Sequence, residues 1–253
     1  LGIFTLLGVY VGVIPVFLGL LWFPAMRNVS ARGLNFLLSL TVGLLAFLAV
    51  DALHEALEVA EELPKSYEGV ALITVGFAGS LLLLMVISRW SRTSAAHRGE
   101  TFQRMVLAYT IALGIGLHNL GEGLAIGSAY ALGNIALGGV LVIGFAIHNT
   151  TEGFAIVAPV AKQRVAFANF IWMGVLAGVP TILGTWIGGF TYSAVWSVLF
   201  LGIGAGAIVQ VIYVILRQMA RQPEDAEVLT PRNVVGLLVG FMIMYATGVL
   251  VTF

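Results

Sequence analysis

Two six-residue motifs carry the chemistry of this chain: His118-Asn119-Leu120-Gly121-Glu122-Gly123 and, thirty residues on, His148-Asn149-Thr150-Thr151-Glu152-Gly153. On a helix, His and Glu at i and i+4 stack on one face, and the Asn after the His lies beside them. Two such helices with facing motifs would offer two imidazoles, two carboxylates and two amide oxygens to a common point. A mixed nitrogen and oxygen set suits Zn²⁺, Fe²⁺ or Mn²⁺ better than Mg²⁺ or Ca²⁺, which prefer oxygen alone. The motifs hold no sulfur, which argues against Cu⁺. One such histidine alone reads as a helix-to-helix hydrogen bond, whereas two matching motifs read as a metal site. Proton relay is the competing use of the same groups.

The elements that must position these residues are membrane helices. Hydrophobic residues make up 60% of the 253 residues and charged residues 9%, with a mean hydropathy of +1.03, far from the mixture of a soluble domain. The fold class is all-α, an integral membrane protein in a lipid bilayer. Apolar runs of about 20 residues cross a bilayer as helix. Eight are read here, near 2–23, 34–58, 69–88, 104–129, 134–160, 165–189, 193–216 and 233–253. Continuous runs of this length exclude an outer-membrane barrel, whose strands alternate over about ten residues. Short connections leave no room for a separate soluble domain, so residues 1–253 are read as a single transmembrane domain.

The first run lacks a basic leader and stays uncharged until Arg27, so it reads as a span rather than a signal peptide. The chain begins at Leu1 rather than Met, which leaves room for preceding residues. Basic residues set orientation, because Lys and Arg are retained on the cytoplasmic side. Arg27, Arg32, Arg89, Arg92, Arg98, Arg104, Lys162, Arg164, Arg217, Arg221 and Arg232 fall in or beside odd-numbered connections, and Lys65 alone in an even one. Both termini are therefore expected outside the cytoplasm, in a cell (inner) membrane.

Further polar groups cluster on the second span. Asp51, His54, Glu55 and Glu58 lie at i, i+3, i+4 and i+7, a weaker candidate metal site, an access vestibule or the polar end of a helix leaving the bilayer. Glu58, Glu61, Glu62 and Glu68 could concentrate cations at a pore mouth by electrostatic focusing, although a solvated helix end is the favoured reading of them. His97 reads as a solvated side chain. The chain has no cysteine, so disulfides and thiolate chemistry are excluded. No basic aromatic patch points to nucleic acid.

With these motifs the chain resembles the ZIP (Zrt/Irt-like) divalent metal transporters, and the doubled H-N-x-x-E-G looks most like their bacterial GufA-like branch. The resemblance implies eight spans in a 3+2+3 arrangement, the outer triplets forming an inverted repeat, and a homodimer. It implies transport of Zn²⁺, or of Fe²⁺, Mn²⁺ or Cd²⁺, toward the cytoplasm, with no prosthetic group and no enzymatic activity. His118, Asn119, Glu122, His148, Asn149 and Glu152 would then be ligands of one or two metal ions between spans four and five, with Asp51, His54 and Glu55 as weaker candidates. The chain departs from the family pattern at four places. Gly121 and Thr151 stand where the motifs usually carry proline, Val179 precedes Pro180 where Glu is common, and the seventh span offers only Gln210. A membrane-embedded metal-dependent hydrolase and a transport-deficient metal sensor or receptor stay open as alternatives, although no H-E-x-x-H is present.

Overall fold

Backbone polar groups in a bilayer must be satisfied within the segment, which drives apolar runs into helices. The computed structural model describes residues 1–61, 63–64, 68–95, 98–133, 135–191, 193–220 and 228–252, and among these it holds helices and no strand. The order is α1 (Gly2–Gly8), a π turn (Val9–Val13), α2 (Ile14–Leu20), α3 (Phe23–Met26), α4 (Ala31–Glu61), α5 (Gly69–Ala95), α6 (Glu100–Ala131), α7 (Ile135–Val157) with a 3₁₀ turn (Ala158–Val160), α8 (Phe167–Phe190), α9 (Ala194–Met219) and α10 (Pro231–Thr252).

Local chemistry sets several of these boundaries. Ser30 accepts the Gly33 N–H at 3.1 Å and so caps α4, and Thr230 does the same for α10 through Asn233 N–H at 3.3 Å; both satisfy an amide that a helix start leaves free. Pro231 opens α10, where a missing N–H costs nothing. Gly133 adopts φ 74° after α6, a left-handed conformation that glycine takes without strain, and it reverses the chain between the two motif helices.

Among the described residues, six segments are long and apolar enough to cross a membrane: Gly2–Met26, Ala31–Glu61, Gly69–Ser91, Leu141–Val160, Phe167–Phe190 and Ala194–Met219. This is a multi-pass membrane protein. Helix α6 has 32 residues, ample to cross at 1.5 Å per residue, but it carries His118, Asn119 and Glu122 at its middle. In α10 the apolar stretch is the shorter Pro231–Ala246. The first segment is not the continuous helix expected from its hydropathy. Pro15 has no N–H to give the carbonyl four residues back, and the ladder widens into the π turn just before it.

The helices pack in two groups that cut across chain order. Helix α8 lies along α6, and α1, the π turn and α2 pack on α8 and α7; separately, α4 packs on α10 and α9, and α5 on α9. The groups meet chiefly where α6 faces α9, with smaller contacts of α7 on α10 and α4 and of α5 on α6. Ile111 and Ile115 of α6, Ile208 and Ile215 of α9, Leu45 of α4 and Ile156 of α7 belong to one continuous buried cluster. Exposed Trp90, Leu82, Val86, Trp172, Leu183 and Tyr245 present the apolar surface that a bilayer covers. Glu62, Lys65 and His97 lie outside the described residues.

Candidate metal centre

The turn at Gly133 sets α6 and α7 side by side and brings the two motifs together. All six motif side chains, His118, Asn119, Glu122, His148, Asn149 and Glu152, are buried. Glu122 is the hub. Its Oε1 lies 2.9 Å from His118 Nε2 and is also in contact with His148 Nε2, while its Oε2 accepts a hydrogen bond from Asn149 Nδ2 at 3.1 Å. One ligand atom from each of His118, Glu122 and His148 falls within 4.8 Å of the others, the spacing of donors around one cation. The ring centroids of His118 and His148 stand 6.3 Å apart, and Phe145 packs on His148 at 5.3 Å.

Both asparagines are tied to the backbone of neighbouring elements. Asn119 Nδ2 donates to the Ala177 carbonyl of α8 at 3.1 Å, and Asn149 Nδ2 donates to the Val11 carbonyl of the π turn at 3.0 Å. Val11 is four residues before Pro15, so its carbonyl lacks the usual helical donor. A carbonyl can only accept, which fixes the orientation of both amides. The Oδ1 atoms of Asn119 and Asn149 and both carboxylate oxygens of Glu152 are buried with no hydrogen-bond partner. Glu152 nevertheless lies within electrostatic reach of His118, Glu122 and His148. Orphaned acceptors at this depth are costly unless a cation or donor meets them.

A cavity of about 20 Å³ adjoins the hub, with His118, Glu122 and His148 on one wall and Asp51 and Glu55 of α4 on another. That is room for about one water-sized species. Asp51 is exposed and Glu55 half-buried, so the α4 side is where the cavity is reached. On the opposite side, toward the ends of α6 and α7 that bear Arg104 and Lys162, the apolar cluster containing Ile111, Ile115 and Ile156 closes it. His54 is not brought in: its side chain is 71% exposed, with Nδ1 3.8 Å from the Glu58 carboxylate. Gln210 is buried too, but its amide reaches the Leu84 carbonyl of α5 at 3.5 Å. Glu61 and Glu68 border a separate surface groove.

Residues that the sequence did not mark complete the cavity: Leu48, Phe145, Phe200, Leu201 and Gly204. They are apolar and carry no pattern distinguishing a lining position from a packed one. The tie to Val11 did have a signal, since Pro15 inside an apolar run announces a free carbonyl four residues earlier.

Asp51 and Glu55 make the reachable wall acidic and the hub offers imidazole and carboxylate together, an arrangement that can hold a divalent cation within the membrane-spanning part. No curated protein matches the chain. The model of the family described as ZIP zinc transporter matches residues 91–248, which include both motifs and helices α6 to α9. That match covers well over half of the chain, so this protein belongs to the ZIP zinc transporter family, whose members are transporters of divalent metals rather than enzymes.

Proposed function

We propose that this protein moves Zn²⁺, and with it Fe²⁺, Mn²⁺ or Cd²⁺, across a cell membrane toward the cytoplasm, the ion in transit being held by His118, Glu122 and His148. The observation that carries this reading is the convergence of those three side chains on one buried point. Glu152 and the Asn119 Oδ1 supply further unpartnered oxygens, and Asp51 and Glu55 receive the ion at the accessible wall. Neutral imidazoles and carboxylates bind best when deprotonated, so binding releases protons.

The full reading is one transport domain of eight spans, adding α6 and α10 to the six apolar segments, with both termini outside the cytoplasm. Its arginine-rich connections then lie in the cytoplasm, and the cavity reached past Asp51 is the outward one. Passage requires the apolar cluster beneath the hub to open, which the division into two helix groups supports: one group shifts against the other around the site, as in alternating access. The GufA-like branch and the homodimer belong to this same reading. Val179 and the turned-away Gln210 favour one second reading, a metal receptor that does not transport.

Uptake into proteoliposomes decides between them. The chain with His118→Ala plus Glu152→Ala is expected to take up none of Zn²⁺, Fe²⁺, Mn²⁺ or Cd²⁺, while the unaltered chain concentrates at least one. Stoichiometric binding without uptake by the unaltered chain would instead establish the receptor.

A further inference from the structure

Within the motif pair, each asparagine faces the carboxylate of the other motif. Asn149 Nδ2 is shared between the Glu122 Oε2 at 3.1 Å and the Val11 carbonyl at 3.0 Å. Asn119 Nδ2 donates to the Ala177 carbonyl, and its side chain faces Glu152 rather than Glu122. The Val11 carbonyl cannot be satisfied by residue 15, because Pro15 has no N–H, and it cannot donate, so the Asn149 nitrogen must face it. With the nitrogen so placed, the remaining N–H falls on Glu122 Oε2.

We infer that Asn149 positions Glu122 through its amide nitrogen: that nitrogen holds Oε2, leaving Oε1 alone to join His118 and His148 on the ion. This deepens the metal-transport reading and rests on it. The consequence is a monodentate Glu122 whose carboxylate plane is set by the first membrane segment, through Pro15, Val11 and Asn149 in turn. A carboxylate fixed in this way cannot swing to chelate the ion with both oxygens, which keeps the site open to release. Partners of this kind, one step removed from the metal, change affinity by about 10- to 100-fold when lost.

Coordination by Asn149 Oδ1, which has no hydrogen-bond partner, would not depend on the amide nitrogen, and the two roles order the variants differently. Zn²⁺ affinity of the purified full chain, measured by chelator competition, is compared for the unaltered protein, Asn149→Ala and Asn149→Asp, with thermal unfolding as the folding control. Asp matches Asn in shape but replaces the N–H donors with an oxygen facing Glu122 Oε2 and the Val11 carbonyl. A positioning role predicts a loss of about tenfold or more in the Ala variant and at least as great a loss in the Asp variant. An Asp variant binding as tightly as the unaltered protein, or tighter, overturns the inference and makes residue 149 a ligand. Should the Asp variant fail to fold, Co²⁺ absorption of the Ala variant decides: an unchanged donor number supports positioning, and a lost donor overturns it. No Zn²⁺ bound by the unaltered protein would bring down the metal reading itself, a result distinct from either ordering.

Discussion

Helix α6 has two faces of opposite character. Toward α8 it is sealed at the backbone: a Cβ added at Gly116, Gly123 or Gly127 would strike the carbonyls of Leu176, Thr181 and Thr185, and one at Gly184 or Gly188 would strike those of Leu120 and Leu124. Toward α9 the backbones stand further apart, although a Cβ on Gly114 would strike the Val211 side chain. A Cβ on Gly121 would sit 3.5 Å from the Phe200 carbonyl, and one on Gly204 would sit 3.3 Å from His118 Cα. Small residues let membrane helices approach closely, and closeness over many turns makes two helices one body. The same division holds on both sides of the molecule, with Gly43 and Gly240 closing α4 on α10 and Gly76 and Gly206 closing α5 on α9. All three hub side chains therefore ride on one group, while Asp51, Glu55, Phe200, Leu201 and Gly204 of the other form the facing wall. An ion held by one body and walled by another can be exposed to either side without breaking its ligand set.

Substitutions on the two faces should separate accordingly. The largest effect is expected at the sealed face. Gly123→Leu forces a side chain into the Thr181 backbone and should cost about 3 kcal/mol or more, read as lost folded protein or a lowered thermal midpoint in detergent. If this variant is as stable as the unaltered chain, the backbone seal is not what joins α6 to α8. A smaller and different effect is expected from Gly204→Ala, whose methyl needs a shift of a few tenths of an ångström from His118. Uptake should fall several-fold with the thermal midpoint nearly unchanged, and equal losses of both would erase the contrast between the faces. The smallest effect belongs to His54→Ala, since His54 is outside the cavity. Zn²⁺ uptake should stay within about twofold, as for surface changes generally, and a collapse of uptake would place His54 on the path.

How much of this was legible in the sequence follows from the range of the interactions. The motif residues stood out because a four-residue spacing and the cost of charge in a bilayer act locally, and α6 and α7 then needed only a short reversal at Gly133 to meet. The α4 stripe is wider in sequence than the face that lines the cavity. At about 100° per residue His54 lies about 60° from Asp51 and 100° from Glu55, enough to turn it off the cavity face, a distinction the i+3 pattern alone does not make. The division into two groups was not legible, because it rests on which glycine meets which carbonyl across more than a hundred residues, as Gly43 does with Leu237. The break in the first segment was written in Pro15, but its use became visible only once Asn149 was seen against Val11.

Transport by relative movement of the two groups can be tested with engineered bridges, because the chain has no cysteine. A Cβ on Gly114 would lie 3.8 Å from the Val211 Cβ, the usual separation in a disulfide, so Gly114→Cys with Val211→Cys can bridge α6 to α9 across the loose face. Gly236→Cys with Ser39→Cys, at 3.2 Å before relaxation, bridges α10 to α4 within one group. The measurement is Zn²⁺ uptake into proteoliposomes before and after reduction of each bridge. The α6–α9 bridge is expected to stop uptake until it is reduced while the α4–α10 bridge leaves uptake intact; full uptake with the α6–α9 bridge closed would rule out movement of one group against the other.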